Sequence, residues 1–248
     1  MAFNFLQSKV HDAIHFLFPK NCFEEIILNF NILHKECVPL VLSRGLGLGV
    51  TIGSILLFMP QILKIFAAKS GKGISLSSQL LALIAATGTA AYSYSSGFVF
   101  SQWGDSLFVA IQIAVIIMQI LFYSSQSAFA FAFLAACWAT FLAIAYNYIP
   151  FSVLTLLQTA TIPIMVISKG IQIYENQKNK STGVLSFISA TLSLAGCLAR
   201  VFTSIQETGD NLIIVSFGIA ALLNGVIFAQ FLMFWNSTAM KIKTKKSQ

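Results

Sequence analysis

Charge is scarce in this chain: only 9% of its 248 residues are Asp, Glu, Lys or Arg, and eight of those are acidic. Soluble domains carry about 25% charged residues, so an ordinary water-facing surface is excluded. Histidine is also rare. Of the three, His11 and His15 lie one helical turn apart, but no third ligand follows at a ligand-like spacing, and no metal centre is expected. Paired carboxylates, or a nucleophile beside its base, are missing from the apolar segments, which argues against an enzyme and calls for no cofactor. Asp105, Glu175, Glu207 and Asp210 all fall at segment edges, so proton coupling through a buried acid is not expected. Residues 1–36 mix Phe and Leu with His11, Asp12, Lys20, Glu24 and Glu25, and lack the basic start and apolar run of a cleavable signal. They read as an amphipathic arm lying at a membrane interface.

What is present is hydrophobic: 57% of residues, gathered into runs of membrane length. Candidate spans lie near 41–66, 76–97, 105–123, 127–146, 151–173, 184–205 and 212–235. The expected fold is an all-α membrane protein with seven transmembrane helices in a 3+1+3 plan. Its parts are an interfacial arm (1–38), a first triple-helix unit (39–123), a linker helix (124–149), a second triple-helix unit (150–236) and a basic tail (237–248). Small residues Gly45, Gly47, Gly49 and Gly53 offer a surface for close helix approach.

The two triplets share landmarks. Pro60 in Phe58-Met59-Pro60-Gln61 and Pro163 in Thr161-Ile162-Pro163-Ile164 each fall within a lead span. A proline there leaves the carbonyl four residues back, Leu56 or Thr159, without its helical partner and favours a kink. Gly73-Ile74-Ser75-Leu76 then matches Gly183-Val184-Leu185-Ser186, Gly88 matches Gly196, and Gly104-Asp105 matches Gly209-Asp210. Three spans plus a linker restore the starting direction, so the repeat is parallel and predicts a pocket between triplets.

Basic residues orient the chain. Lys64, Lys69 and Lys72 follow the first span, Lys169, Lys178 and Lys180 go with the end of the fifth, and Lys241, Lys243, Lys245 and Lys246 follow the seventh. All fall on one side, predicted cytosolic, which puts the N-terminus in the lumen. Lys245 and Lys246 then sit third and fourth from a cytosolic end, as in a dilysine retrieval signal of endoplasmic-reticulum membrane proteins; the alternative is a tail attracted to anionic headgroups. Sequons Asn179-Lys180-Ser181 and Asn236-Ser237-Thr238 fall on the same side and are expected to carry no glycan. Cys22 and Cys37 lie in the lumenal arm, either as a disulfide or as two buried thiols.

Pro60-Gln61 in a duplicated seven-span frame resembles the PQ-loop family, which includes SWEET sugar facilitators, cystinosin-like carriers and KDEL receptors. Three further runs are similar to the mannose-P-dolichol utilization defect branch: 43–49 (Ser-Arg-Gly-Leu-Gly-Leu-Gly), 101–104 (Ser-Gln-Trp-Gly) and 198–210, from Leu198-Ala199-Arg200 to Gly209-Asp210. Asn224-Gly225, Gln230, Trp235-Asn236 and the dilysine tail extend the likeness. The resemblance implies an endoplasmic-reticulum protein needed for using dolichyl-phosphate mannose and dolichyl-phosphate glucose as lumenal sugar donors, by translocating them or by presenting them to lumenal glycosyltransferases. Nucleic acid is not an expected partner.

A dolichyl-phosphate sugar joins one negative phosphodiester to a sugar and a long apolar tail, so its handler needs a cation and hydrogen bonders. Arg200 is the anion candidate within a span, with pairing to Glu207 as the structural alternative. Arg44 is a second cation at the lumenal end of the first span. Gln61, Gln158 and Asn224, with Gln112, Gln119 and Gln230, are amides that bond sugar hydroxyls or join helices. Pro60 and Pro163 shape the pocket wall. Trp103 and Trp235 read as interfacial belt residues, and Asp105 and Asp210 as helix caps. A free-sugar facilitator of SWEET type and a KDEL-receptor-like interaction protein are the competing functions.

Overall fold

The computed structural model describes residues 18–19, 22–31, 34–71, 74–124, 126–181 and 187–235. Lys245, Lys246, His11, His15, Lys72 and the sequon at Asn236 lie outside them. Among the described residues eight α-helices follow one another: α1 (Cys37–Ile55), α2 (Met59–Ala68), α3 (Leu76–Ser95), α4 (Gly104–Tyr123), α5 (Ser127–Ala145), α6 (Phe151–Asn179), α7 (Phe187–Glu207) and α8 (Asn211–Met233). A π-helical turn, Glu24–Leu28, precedes α1, and a 3-10 turn, Phe100–Gln102, joins α3 to α4. Starts are capped where the sequence supplies an oxygen: Ser75 Oγ accepts the N–H of Ser78, and Asp210 Oδ1 accepts that of Ile213.

Helices α1 and α2 belong to one apolar run. Among the described residues five segments are long and apolar enough to cross a membrane: Cys37–Ala68, Gly104–Tyr123, Ser127–Ala145, Phe151–Asn179 and Asn211–Met233. Helices α3 and α7 also carry polar side chains that face inward, among them Ser93 on α3 and Arg200, Thr203 and Ser204 on α7.

Packing follows the duplication. In the first triplet α4 touches α1, α2 and α3; in the second α8 touches α6 and α7; and α5 leans on α4. The triplets meet through α3 against α6 and α1 against α7, which is one contact repeated with the two halves exchanged. That exchange is the signature of a parallel repeat about a pseudo-twofold axis.

The polarity of the bundle is inverted relative to a water-soluble one. Ile52, Leu56, Leu156, Ile167 and Leu222 are each more than 60% exposed, whereas Gln112, Gln119, Gln158, Arg200, Asn224 and Gln230 are buried. Such an exterior suits hydrocarbon, where polar groups must find partners inside the protein. Of the four α1 glycines, only Gly47 makes a close approach: a Cβ there would stand 2.9 Å from the Ser101 carbonyl oxygen. Gly45, Gly49 and Gly53 have nothing within 4 Å of that position, so they face outward and the four-glycine contact surface reduces to one residue.

Cys22 and Cys37 form a disulfide with Cα atoms 5.2 Å apart, tying the arm to the first residue of α1. Cys137 and Cys197 are free. Thiol counting on the unfolded chain should therefore label two cysteines before reduction and four after; four before reduction would contradict the bond.

Candidate functional site: an ionic joint between the triplets

Arg200, 3% exposed on α7, projects into the first triplet. Its Nη2 lies 2.5 Å from Asp105 Oδ1 at the start of α4, and its Nη1 donates to the Ser101 carbonyl at 2.7 Å. One turn along α7, Thr203 Oγ1 donates to Gln102 Oε1 at 3.3 Å. Two turns along, Glu207 Oε1 meets Arg44 Nε of α1 at 3.4 Å. Tyr92 of α3 closes the set by donating to Asp210 Oδ2 at 2.8 Å, while the other oxygen of Asp210 caps α8. Every one of these contacts crosses between triplets, and all lie at the end where α1, α6 and α8 begin. Two arginines and two carboxylates neutralise each other, as buried charge requires.

The sequence expectation of an Arg200–Glu207 pair is corrected here. Arg200 bonds Asp105, and Glu207 takes Arg44, because both α7 side chains point across to the first triplet rather than along their own helix. Asp105, read as a cap, is the missed residue; a lone acid at a span edge opposite an intramembrane arginine was the available signal. Asp210 does cap, with a second bond in addition. Trp103 is held by the protein, its indole N–H donating to the Phe98 carbonyl and its ring edge-on to Tyr94 and Phe100. Trp235 is half exposed beside Phe231.

At the other end, amides work within each triplet. Helix α1 stops at Ile55 and α2 resumes at Met59, with Pro60 in its first turn where no N–H is needed. Gln112 of α4 fills the gap: its Oε1 accepts the Phe58 N–H at 2.9 Å and its Nε2 donates to the Ser54 carbonyl at 2.8 Å. One side-chain amide thus replaces a missing rung of the helical ladder. Pro163 does not break its helix; α6 runs unbroken through it. Thr155, Thr159 and Thr161 hydroxyls donate into the carbonyls of Phe151, Thr155 and Gln158 around it, which satisfies the hydroxyls themselves within the helix.

Gln119 Nε2 reaches the Ile62 carbonyl, and Gln230 Nε2 reaches that of Ile173. Gln230 also accepts from Asn176, Gln158 donates to Ser216, and Asn224 donates to the Ala220 carbonyl and to Cys197 Sγ. Most buried amides therefore join helices. Gln61 is half-buried and bonded to none of the described residues.

Arg200→Met alone leaves Asp105 as an uncompensated charge and should lower stability in detergent by about 3–5 kcal/mol. Arg200→Met with Asp105→Leu should recover most of that loss, read from thermal unfolding of the purified chain. Gln112→Leu strands the Phe58 N–H and the Ser54 carbonyl and should lower stability by about 1–3 kcal/mol for each. An unchanged melting temperature would show that the break is held some other way.

The family model described as PQ loop repeat matches residues 42–102 and again 153–213. The two matches are offset by 111 residues at both ends, the same offset that separates Gln119 from Gln230 and Ile62 from Ile173. In that register Pro60-Gln61 stands opposite Ile171-Gln172, and Pro163 opposite Ile52. The second copy keeps the glutamine and loses the proline, so Gln172, overlooked when the prolines were paired, is the partner of Gln61. With its outward apolar faces, its parallel exchange of helix contacts and this doubled motif, the chain belongs to the PQ-loop repeat family of multi-pass membrane proteins.

Proposed function

We propose that this chain is a seven-span protein of the endoplasmic-reticulum membrane that handles dolichyl-phosphate mannose and dolichyl-phosphate glucose, moving or presenting their headgroups for lumenal glycosyltransferases. One observation carries the reading. The three runs that resemble the dolichol-utilization branch lie far apart in sequence, yet they converge: Arg44 from the first, the Ser101 carbonyl and the Gln102 side chain from the second, and Arg200, Thr203 and Glu207 from the third meet in the ionic joint. The residues that carry this resemblance therefore form one physical unit between the triplets. PQ-loop repeat proteins are generally linked to solute transport. A chain with an apolar exterior and a polar seam between halves suits a solute that is itself half lipid.

In this reading the ionic joint faces the lumen, and the α6 C-terminus and the basic residues beyond α8 face the cytosol. No enzymatic step is assigned; the protein changes where the donor headgroup is, not its bonds.

Vesicles holding the purified chain should equilibrate a short-chain polyprenyl-phosphate mannose across the bilayer about 10-fold faster than protein-free vesicles. Unchanged crossing together with rapid uptake of free mannose would replace the proposal with a SWEET-type facilitator. If neither solute moves, donor presentation is tested by adding a lumenal mannosyltransferase to the same vesicles, and the absence of any stimulation would reject the proposal.

A further inference from the structure

Within the bundle, three cations matter. Arg200 and Arg44 are each spent on a carboxylate. The third, Lys169, is different. It sits inside α6, ten residues or about 15 Å before the helix ends at Asn179, rather than in the loop after it. Its side chain is half-buried and makes no hydrogen bond or ion pair with any described residue.

Helical geometry fixes which way it points. Lys169 lies within about 20° of Gln158 and of Asn176 around the α6 axis. Both of those are buried and bonded to α8, the first to Ser216 and the second to Gln230. The opposite stripe, Ile164, Ile167, Ile171 and Tyr174, is more than half exposed and faces outward. Lys169 is therefore an inward-pointing ammonium between two amide clasps. Gln172, one turn along, is also half-buried with no hydrogen bond to a described residue. Asn224 holds Cys197 from α8. An unpaired ammonium in such a place is expensive unless an anion visits it.

We propose that Lys169 and Gln172 form the seat for the singly charged phosphodiester of a lipid-linked sugar, reached from the end of the bundle opposite the ionic joint. The inference rests on the function proposed above and adds the anion site to it. One lysine matches one phosphodiester charge; a phosphate monoester, with up to two charges, would be left half-neutralised. The Lys169 ammonium holds the phosphate, and the Gln172 amide, the second-copy partner of Gln61, bonds the first sugar hydroxyls. Arg200, neutralised by Asp105, is released from the anion-binding role and keeps the triplets together.

Binding of a fluorescent citronellyl-phosphate mannose to the full chain in phosphatidylcholine nanodiscs tests this directly. Lys169→Met should weaken binding by about 10- to 100-fold, the range of a charge-assisted hydrogen bond, and Lys169→Arg should stay within about 3-fold. Gln172→Leu should weaken it less than Lys169→Met, and a neutral citronellyl mannoside should bind the wild type and Lys169→Met equally weakly. Circular dichroism and melting of each variant verify folding, and Gln172→Leu carries the test if Lys169→Met fails to fold. Tight binding by wild type that Lys169→Met leaves unchanged overturns the Lys169 seat while the proposed function stands. Wild type that binds no lipid-linked sugar overturns both. Mannose 1-phosphate competing as well as the lipid, with the same dependence on Lys169, would assign the seat to soluble sugar phosphates and overturn the lipid claim.

Discussion

The contact on which the rest of the structure depends is the meeting of Arg200 with Asp105. In lipid, hydrophobic attraction does not hold one bundle of helices to another, because hydrocarbon outside is as apolar as leucine inside. Association must come from close packing and from polar groups that have nowhere else to go. Arg200 satisfies both conditions: it is buried, and its partners come from α4 and from the turn that Gly47 allows to approach α1. Around it Thr203, Glu207, Arg44, Tyr92 and Asp210 add further bonds across the same seam.

The distribution of polar contacts divides the molecule into two mechanical regimes. At the end holding the ionic joint, bonds run between the triplets. Toward the other end, the bonds of Gln112, Gln119, Asn176 and Gln230 stay within a triplet. Each triplet is thus stiffened internally, and the two are fastened to each other through one rim. Pseudo-symmetry is followed in the packing and in the paired Gln119 and Gln230 bonds, but not in the lead helices, of which the first is broken and the second continuous.

Much of this was legible from residues alone. Membrane class, parallel duplication and the central place of Arg200 follow from hydropathy, landmark order and the expense of an intramembrane arginine. The identity of its partner was not legible, since Glu207 on the same helix and Asp105 nearly a hundred residues away fit charge arithmetic equally well. Only helix rotation decides between them. Repeat register failed for a related reason: prolines are conspicuous, so Pro60 was matched to Pro163, whereas the bonded amides align Gln61 with Gln172. Lys169 falls within the expected fifth span, 151–173, but the direction it points depends on helix rotation, and α6 continues past it to Asn179 on polar residues. Gly45, Gly49 and Gly53 show the same limit, since a glycine-rich stripe does not say which glycine faces protein.

The single amide of Gln112 has one further consequence. Because it stands in for a rung of the α1–α2 ladder, the bend angle of the first lead column is set from a neighbouring helix rather than by its own backbone. Any sliding of α4 along its axis pulls on both sides of the break at once, so the lead column behaves as a crank whose pin is carried by α4. The opposite column, α6, runs continuous through Pro163 and takes its shape from its own backbone, so the pin belongs to one half of the duplication only.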